Sequence, residues 1–392
     1  MYSAKPVKRR DTSLSDFELI EGKAHLSIPT SSKVFYNRMM NLNRDIAILF
    51  ASSHFPSPRQ LRVCDPMTAS GVRAVRYALE TRTVLTVLAA DNKPETVQVA
   101  KANIALNQLG ERVTVLESDA NSLLVSHVKE RFDLVDLDPF GSPAPFFENT
   151  LRATIDGGVI AAAATDMGPL TGARAAACVR KYGVWPVRSE FEKEMAVRIL
   201  AACLEIIAGR LELGINIAFA HASDHYARIY AQVNKGRRAA NLSSKSIAFL
   251  EYCPTCLRRN AHSRPELIRT SCEDCGGKTV IGGPIWTGPI WDADTVRAMI
   301  ERTPTLDSPR LSEIQNILTR IIEEHQAPAF HYTTDAFSRI LALKPPALRR
   351  VLSALAEAGF SATRTHFSPN GFRTDAPCKQ IGSIFRALAD EA

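Results

Sequence analysis

Residues 132–141, FDLVDLDPFG, read as an apolar strand that ends on an acid and breaks at once into Pro-Phe-Gly. A strand that only fills a core avoids acids at its end, and a simple turn needs no aromatic beside the carboxylate. Asp138 is therefore a candidate catalytic residue. A carboxylate there can accept one N–H of an exocyclic amine and localise a lone pair otherwise delocalised into a ring. It can then take the proton as nitrogen reacts; an ordinary carboxylate of pKa roughly 4 suffices, because the nitrogen becomes strongly acidic only in that step. Pro139 stiffens the turn, and Phe140 offers a face on which an extruded base can stack. The plain alternative is a turn after a strand. Asp136 shares a strand face with Asp138 and receives no role, and Asp133 reads as structural.

A second constellation is Cys253-Pro-Thr-Cys256 and Cys272-Glu-Asp-Cys275, two C-x2-C knuckles with fifteen residues between them. The spacing suits one tetrahedral Zn2+ held by four thiolates, which leaves no open position and makes the metal structural. Arg258, Arg259, Arg264 and Arg269 lie between the knuckles with Glu266 as the nearby acid, a composition that suits phosphate contacts. A metal-stapled spacer with a solvated loop is the alternative. The remaining cysteines, Cys64, Cys178, Cys203 and Cys378, read as buried thiols.

These groups need a scaffold, and residues 61–235 supply a pattern for one. Near-continuous apolar runs end at Asp65, Asp91, near Asp119, at Asp138 and at Asp166, each followed by a helix-compatible stretch. Such runs are expected of parallel strands covered on both faces, and ligands of open α/β sheets bind at the carboxyl ends of the strands. The first loop, CDPMTASGVR, has only Gly71 and cannot cradle a pyrophosphate. Asp91 stands 20 residues beyond Gly71, where an acid can accept two ribose hydroxyls. Asp119 can take an adenine amino group. A single such acid is more often a helix cap, but three at one sheet edge favour a nucleoside without phosphates, such as S-adenosylmethionine, over NAD. Arg73 and Arg44 are candidates for its carboxylate, or else solvated arginines.

The runs ELGINIAFAHAS and DHYARIYAQVN read as an antiparallel pair closing the sheet. Five parallel units and a terminal hairpin give the plan of a class I methyltransferase: α/β, Rossmann-like, with a mostly parallel seven-stranded sheet. The basic stretch NKGRRAANLSSKS marks a boundary. The division expected is a methyltransferase domain over 1–235, a zinc-ribbon segment over 236–300 and a smaller α+β, winged-helix-like C-terminal domain over 301–392. The 392 residues carry 48 Lys+Arg against 41 Asp+Glu, a formal charge of +7 that permits a polyanionic partner. No apolar run spans a bilayer, the basic N-terminus lacks the apolar stretch of a secretory signal, and eight cysteines are too few for a disulfide scaffold. A cytoplasmic protein with no membrane contact and no obligate protein partner is expected.

Asp-Pro-Phe-Gly at the fourth strand end is similar to the Asp/Asn-Pro-Pro-aromatic tetrad of amino-methyltransferases. Over residues 33–377, the stretches VFYNRMMNLNRD, ASGVRAVRYALET, DLDPFGSPAPFFE, ATDMGPLTGARAAACVRKYG, SDHYARIYAQ, the CPTC and CEDCGG pair, and THFSPNGFRTDAP resemble the tRNA guanine-26 N2-dimethyltransferases in their compact archaeal-like form. The resemblance implies S-adenosylmethionine as donor and the guanine at the D-stem/anticodon-stem junction of tRNA as target. It implies Arg44, Arg73, Asp91, Asp119 and Ala120 at the donor, Asp138 at the guanine amine, and Phe140 and Phe35 flanking the base. Arg38 follows Asn37 where the family usually has proline. From the residues alone, methylation of adenine N6 or cytosine N4 in DNA stays open, as does a zinc-ribbon nucleic-acid binder without catalysis.

Overall fold

The computed structural model describes residues 17–29, 34–55, 60–81 and 85–390. The N-terminal residues that argue against a secretory signal lie outside that set. A hairpin of β1 (Phe17–Glu21) and β2 (Ala24–Ile28) opens the described chain, an element the sequence reading does not contain. α1 (Asn41–His54) follows, and then the alternation foreseen. This runs through β3 (Leu61–Asp65), α2 (Val72–Glu80), β4 (Leu85–Asp91), α3 (Pro94–Leu106), β5 (Val113–Glu117), α4 (Ala120–Ser126) and β6 (Phe132–Leu137). It ends with α5 (Phe147–Ala153) and β7 (Thr154–Ala164). Short α6 (Met167–Leu170), α7 (Ala175–Tyr182) and long α8 (Glu192–Arg210) lead to β8 (Leu213–Ser223) and β9 (Tyr226–Lys235).

These strands form one seven-stranded sheet in the order β5-β4-β3-β6-β7-β9-β8, with β9 antiparallel to both its neighbours. The class I methyltransferase plan read from the sequence is the observed one. All six residues of β6 are buried, as a central strand covered on both faces requires. Asp133 is structural as expected: its carboxylate accepts the Arg62 N–H at 2.9 Å, tying β6 to the start of β3. The strand order reverses between β3 and β6, so the carboxyl ends of β3, β4, β5 and β6 open onto one crevice.

The stretch read as a boundary folds into α9 (Arg237–Ser243), which packs on β8 and whose Ser243 hydroxyl bonds Glu205 of α8. Beyond it β10 (Ile247–Tyr252), β11 (Arg259–His262) and β12 (Val280–Trp286) make a three-stranded antiparallel sheet ordered β11-β10-β12. α10 (Ala293–Arg302) is capped by Asp292, which accepts the Thr295 N–H at 2.8 Å. It packs with α11 (Leu311–Glu324) on the α1 side of the sheet, where Val296, Met299, Ile314 and Leu318 join Leu42, Ile46 and Phe50 in one core.

The C-terminal unit continues through β13 (Tyr332–Thr333), α12 (Thr334–Leu341), α13 (Leu348–Glu357), β14 (Ala362–Arg364), β15 (Gly371–Thr374) and α14 (Cys378–Asp390). Helix, strand, two helices and a hairpin, with sheet order β13-β15-β14, is the winged-helix arrangement expected; α14 is an addition to it. Its core residues Phe337, Phe372 and Phe385 are continuous with those of α8 and the main sheet. No helix among the described residues is long and apolar enough to cross a membrane.

Candidate active site

The crevice is organised around a buried charge cluster. Asp136, at the next-to-last position of β6, is fully buried. One of its oxygens accepts from Arg228 Nη2 at 2.6 Å. The other accepts from the Tyr77 hydroxyl at 2.6 Å and from Arg73 Nη1 at 3.1 Å. Burial works against its charge, and the guanidinium groups of Arg228 and Arg73 outweigh that, holding the carboxyl below the ordinary range. Arg73 sits in the first turn of α2 and turns its second terminal nitrogen to Asn43 Oδ1 at 3.0 Å and to Asp138 in a short charged contact. Burial opposes the guanidinium charge, but Asp136 and Asp138 keep it protonated well beyond the usual arginine range.

Asp138 is the exit from this cluster to solvent. Its side chain is 20% exposed, against none for Asp136. The loop after it is pinned by a reciprocal pair: Gly141 N–H donates to Thr165 Oγ1 at 2.8 Å, and Thr165 N–H to Gly141 O at 2.9 Å. Gly141 adopts φ +90°, which a side chain would strain. The turn holds Phe140 outward, 76% exposed, with the Phe35 ring edge-on to it at 4.6 Å and 82°. Two aromatic rings from distant segments thus meet in the open beside the carboxylate that the sequence singled out.

At the other strand ends the acids are placed as read, and each also performs the plainer task. Asp91 accepts the N–H groups of Lys93 at 3.1 Å and Ala69 at 3.3 Å, so it ties the first loop to β4. Asp119 caps α4 through Ser122 N–H at 3.1 Å, with Ala120 buried behind it as the first helical residue. Gly71 at φ +80° lets that first loop press on α3, since an added Cβ would lie 3.3 Å from the Ala100 backbone. Arg44 is buried and bidentate to Glu21 of the hairpin at 2.5 Å, with further bonds to Asn37 O at 3.0 Å and Asn41 Oδ1 at 2.7 Å. Arg38, in the position where proline is usual, lies over the Phe17 ring at 5.3 Å.

The chain matches the family described as N2,N2-dimethylguanosine tRNA methyltransferase over residues 15–386. The chain belongs to this family. A tRNA (guanine(26)-N(2))-dimethyltransferase of Thermococcus kodakarensis is 34% identical over 385 residues, covering 93% of this chain and 98% of that protein. A tRNA (guanine(26)-N(2)/guanine(27)-N(2))-dimethyltransferase of Aquifex aeolicus is 31% identical, with 92% and 93% covered. The solved complex of Trm1 from Pyrococcus horikoshii with S-adenosyl-L-methionine superposes with a TM-score of 0.84 at 31% identity, covering 94% of this chain and 99% of that one. Of the three readings the residues left open, the relatives carry the tRNA one.

In this family member the second constellation is also assembled. Sulfur atoms of Cys253 and Cys275 stand 3.5 Å apart, as do those of Cys256 and Cys272, and all four lie within 4.8 Å of one another. Four Zn–S bonds of about 2.3 Å in a tetrahedron require S–S separations near 3.8 Å, so the donor set fits. The arginines between the knuckles fare differently. Arg258 pairs with Glu273 and Asp274, Arg269 pairs with Glu273, and Arg259 is buried on Glu190 at 2.9 Å with its guanidinium 3.5 Å from the Tyr332 ring centroid. Only Arg264 of the four is exposed without an ion pair among the described residues. The expectation of an arginine-studded phosphate loop fails because the second knuckle supplies acids that fold back on it.

Sequence reasoning named Asp65 only as a strand end and missed Asn43, Arg228 and Glu21. Burial pushes the Asp65 carboxyl up to about 7, with Arg73 and the Thr68 hydroxyl opposing and Asp136 and Asp138 adding to the rise. The Asn43 Nδ2 amide and the Ser70 hydroxyl are buried with no hydrogen-bond partner among the described residues. The only signal in the sequence is polarity out of place, as in the buried Asn43-Arg44-Asp45 run of α1.

Proposed function

We propose that this chain transfers methyl groups from S-adenosyl-L-methionine to the exocyclic N2 of guanine 26 of tRNA, in two rounds that yield N2,N2-dimethylguanosine. The observation that carries the reading is the half-open Asp138 carboxylate, braced from behind by buried Arg73 and flanked by the exposed Phe35–Phe140 pair. A crevice bounded by Asp91, Asp119 and Ala120, with no phosphate-cradling loop, suits an adenosine. Arg73, with the Asn43 amide beside it that has no partner among the described residues, suits an amino-acid tail, which Arg44 could meet only by giving up a bond to Glu21, Asn37 or Asn41. When bound, S-adenosyl-L-methionine supplies an electrophilic methyl carbon on a sulfonium.

Asp138 accepts one N–H of the guanine amine and so aims its lone pair, while Phe140 and Phe35 stack the extruded base. As the N–C bond forms and the S–C bond breaks, the amine proton passes to Asp138 and from there to water. Two N–H bonds allow two rounds, after which the nitrogen has no proton to give. The four cysteines would hold one Zn2+, whose closed coordination makes it a structural staple, and metal analysis should return one zinc per chain. The cytoplasm, which offers tRNA and reduced thiols together, is the compartment this reading expects.

Nucleoside mass spectrometry of a tRNA transcript incubated with protein and donor should give N2-methyl- and N2,N2-dimethylguanosine at position 26. Unmodified guanosine there, or methylated bases only in duplex DNA, would overturn the assignment. Asp138→Ala should lower methyl transfer by about 10²-fold or more while donor affinity persists, because Arg73 keeps Asp136 as a partner. Near-normal turnover would remove Asp138 from the chemistry.

A further inference from the structure

With three of the four zinc-segment arginines paired to acids, a cationic surface for the RNA is to be sought elsewhere as well. The segment from Asp166 to Glu190 joins β7 to α8 and has no acid between those two residues. Arg174, Arg180, Lys181 and Arg188 on it are all exposed. Lys181 pairs with Asp166 at 2.7 Å, and the three arginines have no ion pair among the described residues. Packing gathers the ends of the segment: Gly172, at φ +84°, lies so close to Arg188 that an added Cβ would stand 3.1 Å from its backbone nitrogen. Trp185 sits in the middle, 62% exposed, the most exposed tryptophan of the three.

That ring does not dangle. Trp185 and Gly283 exchange both backbone hydrogen bonds, at 3.0 and 2.8 Å, fixing the residue to β12. At the other end the Tyr182 hydroxyl bonds Asp166 at 2.5 Å, and the neighbouring Thr165 grips Gly141 of the Asp138 loop. An exposed apolar ring on a backbone tied to β12, in a segment whose arginines have no ion pair among the described residues, is an arrangement that suits single-stranded or splayed RNA, where bases stack on aromatic rings and the backbone tracks cations. Val280 and Ile281, on the β12 strand to which Trp185 is bonded, are exposed aliphatics as well.

We propose that α7 and the strap to Arg188 form the RNA-gripping surface next to the catalytic loop, with Trp185 stacking on a base or ribose and Arg174, Arg180 and Arg188 contacting phosphates. The proposal rests on the tRNA reading above and adds where the substrate lies. The triple variant Arg174→Glu, Arg180→Glu, Arg188→Glu should raise the KM for tRNA by about tenfold or more and flatten its salt dependence. Calorimetric affinity for S-adenosyl-L-methionine should stay within roughly twofold of wild type, since none of the three lies at the donor edge. Trp185→Ala should weaken tRNA binding roughly fivefold to a hundredfold, with Trp185→Phe restoring most of it.

Wild-type methylation of tRNA with KM values unchanged in both variants would overturn the surface and leave the function standing. Wild-type protein inactive on tRNA would instead overturn the function. Concentration-dependent self-association abolished by Trp185→Ala, with tRNA KM unmoved, would reassign the face to protein contact and likewise reject the proposal.

Discussion

Two buried clusters in this molecule share a plan: one acid between two arginines. Asp136 holds Arg73 and Arg228 beneath the catalytic loop, and Glu194 of α8 holds Arg198 and Arg373 where the winged-helix unit meets the main sheet. The difference lies in where the spare hydrogen bonds go. Glu194 also accepts the N–H groups of Phe330 and His331 at 2.8 and 3.1 Å and the His331 ring at 3.0 Å, while Arg373 passes on to Glu324, which accepts the His366 ring at 2.6 Å. That cluster turns inward and fastens one unit to another. The Asp136 cluster instead extends through Arg73 to Asp138, whose side chain is 20% exposed, and the neighbouring Asn43 amide has no partner among the described residues. Similar charge chemistry makes a rivet in one place and a preorganised site in the other.

The sharpest way to break this contrast is to remove each central acid. Glu194→Ala and Asp136→Ala each remove the acid shared by two buried arginines, and each should cost about 3–5 kcal/mol in denaturant unfolding. The consequences for catalysis should diverge. Folded Glu194→Ala protein, assayed below its transition, should keep most of its methyl transfer per bound donor. Asp136→Ala should lose it, because Arg73 then collapses wholly onto Asp138. Equal activity losses in the two variants would mean that the clusters are not functionally distinct.

Why only one of these clusters left a trace in the sequence is a matter of range. The acidic edge of the sheet was legible because each β-strand ends locally on or near its acid, and the cysteine pairs because their spacing is local too. Arg198 stands one helical turn from Glu194, but Arg373 comes from a strand 179 residues away. Arg228 likewise reaches Asp136 across 92 residues. Alternation and periodicity report which face a residue occupies, not which distant ion will meet it. For the same reason the arginines between the cysteine knuckles looked free, and the hairpin that clamps Arg44 through Glu21 went unread.

Acid and alkali should separate the two regions next. Glu324 titrates at about 2 and Glu194 well below its ordinary value; in both cases burial is overcome by charged partners, Arg373 among them. A carboxyl depressed in the fold contributes stability that is complete above about pH 4.5 and is lost as pH falls toward 2. Asp65 has the opposite sign: raised by burial to about 7, its favourable contribution is complete below pH 4 and lost as pH rises through 7. Thermal midpoints should therefore fall below pH 4.5 less steeply in Glu324→Gln than in wild type. Asp65→Asn should gain on wild type progressively from about pH 4 to pH 7 and keep a constant advantage above that. Parallel pH curves for all three proteins would show that these carboxyls do not set the acid and alkaline limits.

The smallest effect belongs to an ion pair that shares the chemistry of both clusters and the burial of neither. Arg152 and Glu148 face each other at 3.0 Å one turn apart on α5, with side chains 49% and 61% exposed. Water screens both charges already, and ordering two long side chains offsets much of what attraction remains. Arg152→Ala should change stability by about 0.5 kcal/mol or less, with that small difference fading in added salt. A loss approaching that of Glu194→Ala would contradict the premise that desolvation, and not the mere presence of opposite charges, makes the two buried clusters matter.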